Sequence, residues 1–151
     1  MFKKILVPSD LREASLVALT TAVHLARSSG SQLYLLNVRP EFMNKEEMEM
    51  LRISARKFIK EEQEIAVNAK AVLTEMLKRA GGTDVAHTIV LREGSPNDEI
   101  LMTAGELGCD LIIITTTGRT RLGEHLHGSD SERLVRETKI PILVIPVRET
   151  K

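Results

Sequence analysis

The sequence predicts an open, doubly wound α/β sheet of parallel strands. Two observations carry this. Leu111-Ile112-Ile113-Ile114 and Ile142-Leu143-Val144-Ile145 are unbroken apolar runs, the pattern of strands covered on both faces. Between such runs the apolar residues switch to helical spacing, giving strand and helix in strict alternation, which requires right-handed crossovers and a parallel sheet.

The elements follow in order. Ile5-Leu6-Val7, closed by Pro8-Ser9-Asp10, reads as the first buried strand. From Glu13 to Ser29 the residues Leu16, Leu19, Val23 and Ala26 recur at helical spacing, and Gly30 supplies the stop. Leu33 to Val38 is the second strand. From Glu46 to Ala80 the stripe Met48, Leu51, Ala55, Phe58, Ile65, Ala69, Val72 and Met76 predicts helix. One continuous helix there would run roughly 50 Å, too long for a chain of this size, and Glu62 falls on the apolar stripe. A break near Glu62 or a protruding first half is expected, with Gly81-Gly82 as the end.

Val85 to Leu91 is the third strand. Ser95-Pro96-Asn97-Asp98 reads as a helix start, with a Ser cap, Pro in the first turn and a carboxylate at the third position. Ile100, Leu101, Ala104 and Leu107 form its buried face, and Gly108 ends it. After the fourth strand, Asp130 to Glu137 is the last helix, followed by the fifth strand. No repeat or linker interrupts residues 1–151, so one domain is expected.

Composition narrows the function classes. The chain has 151 residues with 21 Lys plus Arg against 21 Asp plus Glu, and so no net charge. That argues against bulk binding of nucleic acid or anionic membrane. With no Trp, one Tyr and three Phe, a base-stacking surface for single strands is hard to build. Cys109 is the lone cysteine, compatible with a reducing compartment. With no signal-peptide core and no apolar run long enough to span a bilayer, a cytoplasmic location without membrane insertion is expected.

Doubly wound sheets bind ligands beyond the carboxyl ends of the strands, where strand order reverses. That points to Pro8-Ser9-Asp10, Val38-Arg39 and the segment from Thr115 to Ser129. This segment carries Gly118, Gly123 and Gly128 and ends in Gly128-Ser129 at the opening of the predicted last helix. A helix start offers unpaired N–H groups and the positive end of its dipole to a phosphate, and glycines permit close approach. Arg119 and Arg121 either neutralise phosphate charge or point to solvent. The segment is neither a Walker loop nor a dinucleotide fingerprint, and a glycine-bearing loop before a helix is more often than not simply a turn with a cap. Glu124, His125 and His127 sit close together, but His at i and i+2 do not share a helical face and no other ligand set converges in sequence, so no metal site is expected. No Ser-His-Asp or Cys-His arrangement suggests nucleophilic catalysis.

Gly118, the nine residues that follow and Gly128-Ser129 resemble the second part of the universal stress protein signature. The similarity extends along the chain: Lys4-Ile5-Leu6-Val7-Pro8-Ser9-Asp10, Gly94-x-Pro96, Asp110-Leu111-Ile112 and the ending Lys139 to Pro146 are all similar to that family. The resemblance implies a three-layer sheet of order 3-2-1-4-5, with helices on both faces, of the adenine-nucleotide alpha-hydrolase-like kind. It implies that ATP or a related adenine nucleotide is bound, with or without Mg2+, for stress-response regulation. Asp10 would contact the adenosine part and the backbone of Val38 the adenine edge, while Gly118, Gly128 and Ser129 would hold ribose and phosphates. Pro8, Ser9, Thr115, Thr116, Arg119 and Asp130 complete the expected site. It also implies a homodimer through the last strand.

Three departures from the family pattern matter. Thr115 stands where the signature has its first glycine, Thr117 where a His is usual, and Asp130 where an apolar residue follows Gly-Ser. A Cβ at 115 disfavours positive φ and crowds the sugar, and a carboxylate at 130 either repels phosphate or simply favours the helix start. Three readings stay open: a nucleotide-binding regulatory module, a dimeric interaction protein of the same fold without nucleotide, and a slow ATP hydrolase. No residue is an obvious base for an attacking water.

Overall fold

The computed structural model describes residues 2–41, 45–50, 54–116 and 125–147, with backbone alone at 45, 48, 55 and 125–130. Five strands, β1 (Lys4–Pro8), β2 (Gln32–Arg39), β3 (His87–Glu93), β4 (Leu111–Thr116) and β5 (Ile142–Pro146), form one parallel sheet. Their order is β3-β2-β1-β4-β5, as expected. The helices are α1 (Ser15–Ser29), α2 (Lys45–Met50), α3 (Ala55–Arg79), α4 (Pro96–Leu107) and α5 (His125–Glu137).

Alternation along each strand divides the core into two layers. Ile5, Val7, Leu33, Leu35, Leu111 and Ile113 face α1 and α3, meeting Ala18, Leu19, Ala22, Val23, Leu73 and Leu77. Leu6, Leu36, Ile112 and Ile114 face the other way, toward Ile100 and Ala104 of α4 and Leu134 of α5. Ile5, Leu6, Ile112 and Ile113 are fully buried, which is why the central strands read as continuous apolar runs. Each such side chain contributes about 1.5–3 kcal/mol on burial. Register matches these layers across the sheet, with Ile5 opposite both Leu33 and Leu111.

Gly30 and Gly108 end α1 and α4 in the left-handed region, as their positions in the sequence suggest. Four local expectations change. No break falls at Glu62: α3 runs from Ala55 to Arg79, and Ser54 caps its start, with Oγ accepting from the Lys57 N–H. Glu62 therefore lies within α3, and its place on the apolar stripe is explained by Arg39, with which it pairs. Strand β3 starts at His87 rather than Val85, because the Val85 N–H closes a turn onto the Gly82 carbonyl (3.0 Å). Ser95 holds the cap position of α4 without a side-chain cap bond. Helix α5 opens at His125, which places Gly128 and Ser129 inside it rather than at its opening.

No helix among the described residues is long and apolar enough to cross a membrane.

Candidate functional site

Strand β1 lies between β2 and β4, and the chain leaves it through α1 onto one face while α4 covers the other. The two crossovers part at the carboxyl ends of the strands, which opens a crevice there. A cleft of about 200 Å³ occupies this position. A single water needs only ~15 Å³ by a comparable measure, so the cleft has room for an organic ligand.

The loop after β1 forms one side. The Ser9 N–H donates to the Leu36 carbonyl (2.8 Å), and Asn37 Nδ2 donates to the Ser9 carbonyl (2.9 Å). Ser9 Oγ accepts from the Leu11 N–H (3.0 Å) and bonds Ser15 Oγ (2.7 Å). Asp10 Oδ1 accepts from the Arg12 N–H (2.9 Å). Short polar side chains thus satisfy the backbone locally and shape a turn. Asp10 consequently caps this turn and not α1, which begins only at Ser15. Leu11 takes a left-handed conformation (φ 69°), which costs a leucine about 1–2 kcal/mol. The hydrogen bonds around it, and its packing on the α1 layer, offset that cost.

The opposite side is apolar. Leu36 and Val38 of β2, Ile114 of β4, Pro96 and Ile100 of α4 and Leu134 of α5 line it, with the polar side chains of Asn97 and Ser131 among them. Asp10, half exposed, is the charged group among the described lining residues. Thr115 completes the lining, and its Oγ1 is buried with no hydrogen-bond partner. Positive φ among the described non-glycine residues occurs at Leu11 alone, so Thr115 lies in ordinary strand backbone and the expected conformational conflict does not arise.

Of the residues singled out in the sequence, Pro8, Ser9, Asp10, Val38 and Thr115 meet at this cleft. Thr116 ends β4 beside Pro146 and is not part of the lining. Gly118 and Arg119 lie outside the described residues, and Gly128, Ser129 and Asp130 are described by backbone alone, within α5. Sequence reasoning missed Asn97, Ile100, Ser131 and Leu134 as lining residues. For Asn97 and Ile100 the signal was the start of α4 at Ser95-Pro96, since the opening turn of a crossover helix lies beside the strand ends; Ser131 and Leu134 of α5 had none.

Elsewhere, the Cys109 thiol is buried, which pushes its pKa up to about 11 and keeps it protonated and unreactive. His87 Nδ1 lies 2.7 Å from the Val85 carbonyl. Among the described residues no three His, Cys, Asp or Glu side chains cluster to hold a metal. The group Glu124, His125 and His127 falls outside the described side chains.

The universal stress protein family model matches residues 1–146. The chain is 33% identical over 149 residues to universal stress protein MJ0531 of Methanocaldococcus jannaschii, covering 96% of this chain and 82% of that one. It is 30% identical over 156 residues to universal stress protein MJ0577 of the same organism, covering 96% and 95%. The solved structure of MJ0577 matches with a TM-score of 0.75 at 26% identity, across 99% of both chains. A universal stress protein solved in complex with cAMP shares the fold at TM-score 0.68 and 19% identity, over 95% of this chain and 96% of that one. One from Archaeoglobus fulgidus in complex with dAMP does so at 0.63 and 19%, over 95% and 97%. Strand order, the cleft at the switch point and the match along residues 1–146 lead to one conclusion: the chain belongs to the universal stress protein family.

Proposed function

We propose that this protein binds an adenine nucleotide, ATP or a relative, as a regulatory module of the stress response, and that it does not turn the nucleotide over. One observation carries the reading: Pro8-Ser9-Asp10, Val38 and Thr115, from three separated stretches of chain, line a single cleft at the switch point. The lining suits a nucleoside. Apolar walls can enclose a flat base, and a carboxylate with nearby hydroxyls can bond a sugar. The family's nucleotide complexes, with cAMP and with dAMP, point the same way. On this reading the phosphates lie toward Gly118, Arg119 and Gly128-Ser129, and Mg2+ accompanies them when present. The chain acts as one cytoplasmic domain, paired with a second copy along β5.

The test begins with protein purified without added ligand. Denaturing it and chromatographing the supernatant is expected to release adenine nucleotide, or calorimetry with Mg2+ to show binding of ATP. Asp10→Asn keeps the acceptor that shapes the turn but removes the charge, and is expected to weaken binding about tenfold. Absence of nucleotide in the supernatant, with no heat of binding, sinks the reading.

Thr115 favours a second reading, an interaction protein of the same fold that no longer takes nucleotide, because its side chain stands where the family signature has glycine. If only Thr115→Gly binds ATP, the loss is local to that position.

A further inference from the structure

Among the described residues that line the cleft, Asp10 carries the one charge, and it is negative. An anionic ligand group beside it meets repulsion unless a positive side chain accompanies it. Arg12 stands two residues on, and its backbone is fixed. Its N–H donates to Asp10 Oδ1 (2.9 Å), and its carbonyl accepts from the Ser15 N–H (3.0 Å) and Ser15 Oγ (2.8 Å). Leu11, the one described non-glycine residue with positive φ, turns the chain between Asp10 and Arg12. Strained backbone of this kind gathers at ligand clamps.

The Arg12 side chain is as loose as its backbone is tight. Nε lies 3.9 Å from Asp10 Oδ2, beyond hydrogen-bond reach, and the two side chains are 67% and 50% exposed. An ion pair this long and this open to water holds a guanidinium weakly. Arginines next to two other lining residues are committed elsewhere. Arg39, after Val38, pairs with Glu62 and Glu93, and Arg133, before Leu134, pairs with Asp98 and Glu137.

We propose that Arg12 binds a phosphate group of the ligand, leaving the Asp10 carboxylate as the anion enters. This rests on the reading of the cleft as a nucleotide site and adds to it a cation that neutralises the ligand. A guanidinium presents parallel N–H donors that match two phosphate oxygens, so it gains more there than from a carboxylate beyond hydrogen-bond reach. Its departure frees Asp10 to accept from sugar hydroxyls. The exchange moves one exposed side chain and no backbone.

The experiment measures binding of adenosine, AMP and ATP by calorimetry to the wild-type chain, Arg12→Gln and Arg12→Glu. The turn is bonded through the backbone of Arg12, so both variants are expected to keep the fold. Arg12→Gln is expected to weaken AMP and ATP about tenfold while moving adenosine less than about twofold. Arg12→Glu is expected to weaken ATP further and again to spare adenosine. The salt dependence of ATP binding is expected to be shallower in Arg12→Gln than in the wild type, a change that a merely structural role does not produce. Unchanged ATP binding in Arg12→Gln, or an equal loss for adenosine and ATP, overturns the assignment while nucleotide binding stands. Should these variants fail to fold, Arg12→Lys decides: it keeps the charge without the fork, and is expected to lose about threefold for ATP and nothing for adenosine, an equal loss for both overturning the assignment. If the wild type binds none of the three, the nucleotide reading fails and the role of Arg12 falls with it.

Discussion

Arg39, the last residue of β2, forms an ion pair with Glu62 of α3, and the same guanidinium nitrogen reaches Glu93 at the end of β3 (3.2 Å). The pair is largely shielded, with Arg39 and Glu62 side chains 22% and 17% exposed. Arg39 Nε and Glu62 Oε1 are buried without partners, so the cluster is only partly satisfied. Toward its start α3 leaves Ile59, Ile65 and Val67 exposed, whereas toward its end Leu73, Met76 and Leu77 are buried. The first half of α3 is therefore held to the sheet in good part by charge, and the second half by apolar packing.

Breaking that pair from one side strands a shielded charge. Glu62→Ala is expected to cost about 2–3 kcal/mol, below the 3–5 kcal/mol of a fully buried pair. Replacing both partners, Arg39→Met with Glu62→Leu, is expected to cost less than either single change. Urea denaturation of the three variants checks the order. Hydrogen exchange is expected to rise first at residues 55–66 in Glu62→Ala.

Thr115 carries a buried hydroxyl with no protein partner. Thr115→Val removes that unsatisfied group at nearly constant shape, so the ligand-free protein is expected to gain about 1 kcal/mol. Thr115→Gly is expected to lose about 1 kcal/mol, through the freedom of glycine in the unfolded chain. Thermal melts without nucleotide measure both.

Asp110 fixes the start of β1, since its carboxylate accepts from the N–H groups of Lys3 (2.9 Å) and Lys4 (3.0 Å). Burial alone raises its pKa, but these N–H donors outweigh that, and the carboxyl is held below its ordinary value. A depressed carboxylate stabilises the fold above its unfolded pKa, and that contribution is lost as pH falls through the folded value. Stability is therefore expected to fall below about pH 4. Asp110→Asn is expected to flatten part of this acid limb and to cost about 1 kcal/mol at neutral pH. Denaturation midpoints from pH 2 to 7 check both.

The β5 edge carries Leu143, 38% exposed, beside half-buried Val144 and Ile145. An open apolar edge invites strand pairing. Sedimentation of the wild type is expected to show a dimer, and Leu143→Glu to shift it to monomer at the same concentration with the melt little changed. A monomer in the wild type at all concentrations refutes pairing along β5.

Much of this protein was legible in local sequence. Apolar runs such as Leu111 to Ile114 marked buried parallel strands, because strands covered on both faces have no solvent side to alternate with. Gly30 and Gly108 marked helix ends, because few other residues tolerate the left-handed cap. Alternation of strand and helix then directed the search to Ser9, Asp10, Val38 and Thr115, since crevices in such sheets open at the strand ends.

Only the tertiary structure decided what depends on residues distant in the chain. Glu62 was an anomaly on an apolar stripe until Arg39, 23 residues away, supplied its partner. The start of β3 followed from pairing with β2 and from the Gly82–Val85 turn, not from the apolar run itself. Leu134 read as a residue of the last helix remote from the first strand, and only the packing of α5 against the sheet placed it in the wall of the cleft. Periodicity reports which face of an element is buried, whereas the partners across that face are set by packing of the whole sheet, which no local pattern encodes.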